Sequence, residues 1–147
     1  MNNKVVLLVD DSADDVELTL RSFKKHNLAN KVVVARNGQE ALDYLFGEGS
    51  ESHYPKVILL DLKLPKVDGL EVLRRIKSAP ALKNIPVVVL TSSREERDLA
   101  QSYELGVNSY VVKPVNFEDF AEAVRKLGLY WLLLNQPPVL KAINESR

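Results

Sequence analysis

The chain of 147 residues has the size of one compact domain, and 46% of its residues are hydrophobic. Its 20 Lys and Arg residues balance 20 Asp and Glu residues and form no basic cluster, which argues against direct binding of nucleic acid. The absence of cysteine excludes disulfides and thiolate metal sites. No apolar run has the ~20 residues that span a bilayer or the length of a signal-peptide core, so we expect a cytoplasmic protein without a membrane partner.

Five short apolar runs rich in Val and Ile predict strands. They lie at residues 5–9, 32–34, 57–60, 87–90 and 110–112. None alternates apolar with polar residues, which is typical of strands buried on both faces. Segments with helical spacing of apolar residues follow the runs, at residues 12–26, 38–46, 70–77, 95–105 and from Asn116 onward. This alternation predicts an α/β fold with a parallel sheet covered by helices on both faces.

The first predicted helix has a recognisable start. Ser12 precedes Asp15 by three residues, which is typical of a side chain that caps the amino end of a helix. We therefore expect Ser12 to lie at the amino end of the first helix, directly after the acidic pair Asp10 and Asp11.

The last predicted helix changes character along its length. It is amphipathic through Leu127, but residues 129–134 are apolar on every side, so they must cover more than one surface. Two interpretations stay open: the segment caps the core, or Tyr130, Trp131 and Leu134 form a self-association or partner surface, where aromatic residues are enriched. We favour the second. Residues 1–134 would then form one domain, and residues 135–147 a tail.

Chemically reactive side chains occur at the ends of four predicted strands. They are Asp10 with Asp11, then Asp61, Thr91 and Lys113. Binding sites in open α/β sheets form outside the carboxyl ends of the strands, so we expect these side chains to meet in one pocket. Each alone has a plain structural explanation, as a helix cap, a strand end or a surface lysine. The set is far more specific than its members.

Three carboxylates that share a pocket repel one another unless a cation lies among them. Mg²⁺ prefers oxygen ligands and keeps several waters, so one or two carboxylates and a backbone carbonyl suffice to hold it. A carboxylate can also act as a nucleophile and form an acyl phosphate once positive charge offsets the repulsion. Asp61 is the candidate acceptor, Lys113 supplies an ammonium, and the Thr91 hydroxyl is a candidate donor to a phosphoryl oxygen.

Four segments resemble the receiver domains of bacterial two-component response regulators: LLVDDSADD, ILLDLKLPKVDGLEVLRRIK, IPVVVLTSS and ELGVNSYVVKPV. The resemblance runs from about Lys4 to Leu127. It looks closest to the single-domain regulators paired with phytochrome histidine kinases, through VARNGQEALDYLFGEG, SYELGVNSYVVKPV and the Trp-bearing last helix. It implies a flavodoxin-like, doubly wound sheet of five parallel strands in the order 2-1-3-4-5, with five helices.

The resemblance also implies a phosphoacceptor and a metal site. Asp61 would accept a phosphoryl group from a kinase phosphohistidine. Asp11, Asp61 and the backbone carbonyl of Lys63 would bind Mg²⁺, and Asp10 would hold a metal-bound water. The Lys63 side chain lies two residues beyond the acceptor, at a position where the family varies and where the dephosphorylation rate is set.

The remaining implied roles concern the phosphoryl group and the signal. Lys113 would pair with the phosphoryl group, Thr91 would hydrogen-bond it, and Tyr110 would turn inward in response. The partner would be a sensor histidine kinase, with phytochromes as the particular class. We expect the signal to leave through a protein partner, through onward transfer of the phosphoryl group, or through a homodimer formed by the last strand and last helix.

The resemblance further implies that the chain catalyses its own phosphorylation and dephosphorylation and is not an enzyme acting on other substrates. An aspartyl phosphatase needs Asp-x-Asp, and Ser12 occupies the second acidic position after Asp10. A flavin-binding relative of the fold needs a Ser/Thr/Gly-rich phosphate loop after Val9, which the sequence lacks. A receiver-like interaction module that is never phosphorylated stays open as the alternative, and the complete residue set speaks against it.

Overall fold

The computed structural model of the chain describes residues 5–25, 32–92 and 96–113. Within these ranges, strands and helices alternate along the chain, with one short 3₁₀ helix at Ser50–His53. In chain order the elements are β1 (Val6–Val9), α1 (Ala13–Lys25), β2 (Val32–Ala35), α2 (Gly38–Phe46), β3 (Val57–Leu60), α3 (Gly69–Ser78), β4 (Val87–Thr91), α4 (Glu96–Glu104) and β5 (Ser109–Val112).

The five strands form one parallel sheet in the order β2-β1-β3-β4-β5. The predicted flavodoxin-like fold and strand order are therefore confirmed. The predicted strands agree with the observed ones to within one residue at each end. Four of the five predicted helices lie in the described residues. The fifth, from Asn116 onward, lies outside them, as do Tyr130, Trp131, Leu134 and the predicted tail.

Both faces of the sheet are buried, which explains the uninterrupted apolar runs. Along β1, Leu7 and Val9 belong to the larger core cluster under α2 and α3, whereas Val6 and Leu8 belong to a second cluster on the other face, with Val16 of α1. Each fully buried Val or Leu side chain contributes roughly 1.5–3 kcal/mol of transfer free energy. A strand with apolar residues on both faces is therefore stable where both faces of the sheet are covered.

The helices begin where the sequence provides a side-chain cap. The Ser12 hydroxyl accepts a hydrogen bond from the backbone N–H of Asp15 at 3.2 Å, as predicted from their spacing. Asn37 caps α2 in the same way, accepting from the backbone N–H of Glu40 at 2.8 Å. No helix within the described ranges is long and apolar enough to cross a membrane. These caps fix where α1 and α2 leave the carboxyl edge of the sheet.

Candidate functional site

The backbone of the sheet holds the predicted site residues at one edge. The parallel hydrogen-bond ladder continues one residue past the strands, because the N–H of Asp61 donates to the Val9 carbonyl at 2.9 Å. Likewise, the N–H of Lys113 donates to the Thr91 carbonyl at 2.7 Å. The N–H of Asp10 donates across to the last residue of β2 at 3.0 Å. The positions after β1, β3 and β5 are therefore held along the same edge of the sheet, with the end of β4 between the last two.

Three carboxylates meet at this edge. One oxygen from each of Asp10, Asp11 and Asp61 lies within 4.8 Å of the other two. Asp10 and Asp61 are buried, with only 2% and 7% of their surfaces exposed, whereas Asp11 is exposed to solvent. This donor set is made of hard oxygen ligands and opens to solvent on one side, so it suits a divalent cation that keeps part of its water shell.

The Lys113 ammonium lies among the carboxylates. Its Nζ is 2.6 Å from Asp10 Oδ2, 2.8 Å from Asp15 Oδ2 and 3.1 Å from Asp61 Oδ2. The side chain is 13% exposed. A lysine ammonium carries three N–H donors, and each has a carboxylate partner here. The structure thus brings together the acidic residues after β1 and β3 and the basic residue after β5, as the sequence predicts.

Asp15 is the site residue that the sequence analysis did not identify as such. It was interpreted only as part of the start of α1, yet its carboxylate contacts Lys113. A usable signal was present, because side chains in a helix lean toward its amino end. An acidic residue in the first turn of α1 therefore leans back toward the pocket. The spacing between Asp15 and Lys113 along the chain gives no hint of the contact.

Burial and charge oppose each other in the pocket. Burial raises the pKa of the Asp10 carboxyl above its usual range, although hydrogen bonds from Lys113 Nζ and from the Ser12 N–H act in the opposite direction. Burial acts to lower the pKa of the Lys113 ammonium. The hydrogen bonds to Asp10 and Asp15 and the charge of Asp61 outweigh that effect, so the Lys113 pKa is raised. Lys113 therefore remains a cation at neutral pH.

Both oxygens of Asp61 are oriented. Oδ1 accepts a hydrogen bond from the backbone N–H of Lys63 at 3.2 Å, and Oδ2 accepts from Lys113 Nζ at 3.1 Å. Gly69, the first residue of α3, packs closely against the backbone of the turn after Asp61. A Cβ atom on Gly69 would lie 2.4 Å from the Asp61 carbonyl oxygen, so only glycine allows this close approach. The Asp61 carboxylate is thus oriented by contacts within the protein itself.

Thr91 lies on β4, next to the strand that precedes Asp61, and Tyr110 lies one strand further along the sheet, on β5. Thr91 is the last residue of β4 and is fully buried. Tyr110 in β5 is half-buried and packs against the larger core cluster. Thr91 therefore lies at the same sheet edge as Asp61, while Tyr110 lies deeper along β5. Their switching roles stay a prediction, as do the Lys63 carbonyl as a metal ligand and the Asp10 water.

Comparisons with known proteins agree with this arrangement. Residues 6–125 match the family model of the response regulator receiver domain. The chain is 45% identical over 131 residues to response regulator Rcp1 of Synechocystis sp., an alignment that covers 88% of this chain and 89% of Rcp1. The crystal structure of the Mn²⁺-bound form of Rcp1 superposes with a TM-score of 0.74 at 43% identity, covering 92% of this chain and 99% of that one.

Two further structures come from response regulators of phytochromes. The bacteriophytochrome response regulator AtBRR is 56% identical, with a TM-score of 0.78, and the match covers 92% of this chain and 100% of that chain. The phosphorylated cyanobacterial phytochrome response regulator RcpA is 41% identical, with a TM-score of 0.75, covering 89% and 95% of the two chains. The similarity therefore extends over nearly the full length of these phytochrome-associated regulators.

Proposed function

Because the chain belongs to the response regulator receiver domain family, we propose that it is a single-domain regulator that accepts a phosphoryl group on Asp61. The observation that carries this proposal is the contact of the Lys113 ammonium with Asp61 beside two further carboxylates. The similarity to AtBRR and RcpA supports a phytochrome-type sensor histidine kinase as the donor. The formal net charge of zero and the similarity to these response regulators favour protein partners over nucleic acid.

In the proposed transfer, an Asp61 oxygen forms a bond to phosphorus while the P–N bond to the donor histidine breaks. The electron pair of that bond leaves on the imidazole nitrogen, so the carboxylate becomes an acyl phosphate and the histidine is regenerated. Asp61 is prepared for this role because its two oxygens are already oriented by the Lys63 N–H and by Lys113. Little reorganisation is then needed when the donor approaches.

The chain supplies part of the required positive charge through Lys113. The ammonium contacts Asp61 at 3.1 Å and offsets the repulsion between the acceptor and an incoming phosphoryl group. Asp15, which also holds Lys113, is not one of the three clustered carboxylates and can keep this contact when the others engage a cation. The Asp15 carboxylate of α1 thus shares the Lys113 ammonium with Asp61.

The carboxylate cluster fits a magnesium ion. Asp11, Asp61 and the Lys63 carbonyl would hold it directly, and Asp10 would hold it through a water, in keeping with the preference of Mg²⁺ for oxygen ligands. A bound Mg²⁺ supplies the charge that lets a phosphoryl group approach three carboxylates. The Mn²⁺-bound form of Rcp1 supports a divalent cation in a relative with this fold.

The proposed output is a change in the surface next to β4 and β5. A doubly charged group on Asp61 attracts the Thr91 hydroxyl and the Lys113 ammonium. These residues are joined through the Lys113 N–H and the Thr91 carbonyl, so the two strand ends respond together, with Tyr110 turning inward. The shift can be no larger than the difference in interaction free energy between the two arrangements. Partner binding would amplify a modest bias.

Incubation with a small acyl-phosphate donor and Mg²⁺, followed by intact-mass measurement, tests the function directly. We expect the wild type to gain one phosphoryl group and Asp61→Asn to gain none, because the acceptor oxygen is replaced by an amide. Chelation of Mg²⁺ should suppress the gain. A wild type that gains no mass, or an Asp61→Asn variant that gains as much, contradicts the proposal and favours an interaction module that is never phosphorylated.

We also propose a homodimer through the last strand and last helix, with Tyr130, Trp131 and Leu134 at the interface; these three residues lie outside the described ranges. An aromatic residue at the centre of an interface often carries much of the binding free energy. Sedimentation should therefore show that Trp131→Ala shifts the protein toward the monomer. An unchanged assembly mass in the variant counts against this surface.

A further inference from the structure

Lys77 is a partly buried lysine in the last turn of α3, away from the acidic pocket. Its Nζ donates to the backbone carbonyl of Lys83 at 3.1 Å and to that of Ile85 at 3.3 Å. Both acceptors lie in the segment that leads into β4. The Lys77 methylene carbons run past Gly106, where an added Cβ atom would lie 3.7–3.8 Å from Cγ, Cδ and Cε. The fold therefore holds this amine in one place.

Two other lysines near the sheet are paired with carboxylates. Lys63 Nζ lies 3.4 Å from Asp98 Oδ2 on α4, and Lys113 Nζ contacts three carboxylates in the pocket. In the described part of the chain, the hydrogen-bond partners of Lys77 Nζ are carbonyl oxygens alone. A neutral carbonyl stabilises an ammonium less than an ionised carboxylate does. Burial lowers the pKa of Lys77, and among the described residues no acidic side chain opposes that effect.

The number of acceptors around Nζ matches a neutral amine. An ammonium has three N–H donors, whereas a neutral amine has two donors and a lone pair. When both N–H groups donate to the carbonyls of Lys83 and Ile85, the lone pair points away from both oxygens. The residue is partly exposed, which leaves access for a small reagent. Desolvation of this kind activates a lysine as a nucleophile.

We propose that Lys77 is an acylation site, where the amine reacts with a small acyl phosphate. The nitrogen lone pair attacks the acyl carbonyl carbon, the C–O bond to the phosphate breaks, and its electron pair leaves with the phosphate. The proton that the nitrogen loses passes to the phosphate, so the products are an amide and inorganic phosphate. No atom of the acidic pocket takes part in this step.

The same class of reagent would thus modify two edges of the sheet through different atoms. At Asp61 the proposed attack is on phosphorus, whereas at Lys77 it is on the carbonyl carbon. Lys113 is a poor acyl acceptor, because three carboxylates share its ammonium and its pKa is raised. Acylation replaces the Lys77 charge with an uncharged amide, so the charge of this contact would follow the supply of activated acyl groups. The inference goes beyond the proposed function and does not depend on it.

Site-resolved acylation of the Asp61→Asn variant tests the inference without interference from phosphorylation. The folded variant is incubated with acetyl phosphate, and peptide mapping measures the acetylated fraction of each lysine. Lys83 is the matched internal control, because it is an exposed lysine in the segment that accepts the Lys77 hydrogen bonds. We expect the initial rate at Lys77 to exceed that at Lys83 by about threefold or more. An equal or smaller rate at Lys77 would overturn the inference.

Unfolding separates the effect of the fold from that of the local sequence. In guanidinium chloride, the carbonyls of Lys83 and Ile85 no longer hold the Lys77 amine. The rates at Lys77 and Lys83 should then agree within about twofold, since unperturbed lysines share one reference pKa. A preference for Lys77 that persisted in the unfolded chain would contradict the inference, because the contacts of the fold would not be its cause.

Lys77→Arg, combined with Asp61→Asn, checks the site in the intact chain. Arginine keeps a cation at this position, and its guanidinium does not lose a proton to become a nucleophile. Total acetyl incorporation should therefore fall by the amount mapped to Lys77, and an unchanged total would refute the assignment. A wild type that takes up no phosphoryl group refutes the proposed function instead, while the ratio between Lys77 and Lys83 still decides this inference.

Discussion

Two partly buried lysines, one at each end of the sheet, have opposite electrostatic surroundings. Lys77, in the last turn of α3, donates from Nζ to the carbonyls of Lys83 and Ile85 at 3.1 and 3.3 Å, in the segment that leads into β4. Burial lowers its pKa. Lys113, after β5, contacts three carboxylates, which outweigh burial and raise its pKa. The same side chain is thus destabilised as a cation at one edge and stabilised at the other.

The difference indicates that the Lys77 contacts stabilise the fold at one edge of the sheet, whereas the Lys113 contacts form a charged pocket at the other. The partners of Lys77 are neutral backbone carbonyls, so the contact fastens the segment before β4 to α3. The partners of Lys113 are ionised side chains from α1 and from the ends of β1 and β3. An anion or a cation that enters the pocket competes for these charges. The carboxyl edge can therefore respond to a ligand, whereas the amino edge stays fixed.

The largest expected effect comes from exchanging each lysine for methionine. Lys113→Met should reduce the rate of phosphoryl uptake from a small acyl-phosphate donor by about 100-fold or more, the scale for removing one charge-stabilising donor. Lys77→Met should change that rate by less than about twofold and act on stability instead. Initial rates by intact mass, at a matched fraction of folded protein, provide the comparison. Equal losses in both variants would remove the distinction between the edges.

A smaller effect is expected from the carboxylate that the sequence analysis overlooked. Asp15→Asn removes one competitor for Lys113 and one negative charge near the acceptor, so phosphoryl uptake should become roughly two- to fivefold faster. Asp14→Asn is the control, since it removes the same charge from the exposed neighbouring position of α1. Rates that rise equally in the two variants would indicate a general charge effect and no specific role for the Asp15 contact.

The next effect is on stability and depends on pH. The pKa of Asp10 is raised in the fold, so the folded state prefers the protonated carboxyl, which asparagine resembles. With metal chelated, Asp10→Asn should be more stable than wild type near neutral pH. The advantage should fade as the pH falls below the unfolded value of 3.8, where wild type binds the proton in both states. Urea denaturation across this range measures it, and a pH-independent difference contradicts the assignment.

The smallest expected effect is the pH dependence of stability, which should have opposite signs for Lys77 and Lys113. The folded pKa of Lys77 is below 10.5, so wild type should gain stability over Lys77→Met as the pH rises toward that value. The folded pKa of Lys113 is above 10.5, so its contribution is complete below that pH and is lost as the pH rises beyond it. Denaturation at about pH 9 and about pH 11.5 should show opposite trends for the two variants. Trends of the same sign would show that the two surroundings are alike.

Much of the site could be predicted because strand ends are visible in a sequence. The runs before Asp10, Asp61 and Lys113 are apolar on both faces, and the parallel order of such strands brings their carboxyl ends to one edge. The contact of Asp15 with Lys113 and that of Asp98 with Lys63 were missed. Both carboxylates lie on helices, where an acidic residue normally faces solvent, and nothing in the helical period distinguishes an inward carboxylate from an outward one.

The chain's own pattern of apolar runs and caps determined the α/β class and the edge where the reactive residues gather, whereas the strand order came from the family resemblance. Local propensity and burial act over a few residues, so they can be read in one dimension. Only the tertiary structure decided that Lys113 is shared among three carboxylates and that Lys63 is held by α4. Such contacts depend on ångström-scale distances between distant segments, because charge interactions in a low-dielectric pocket change steeply with separation.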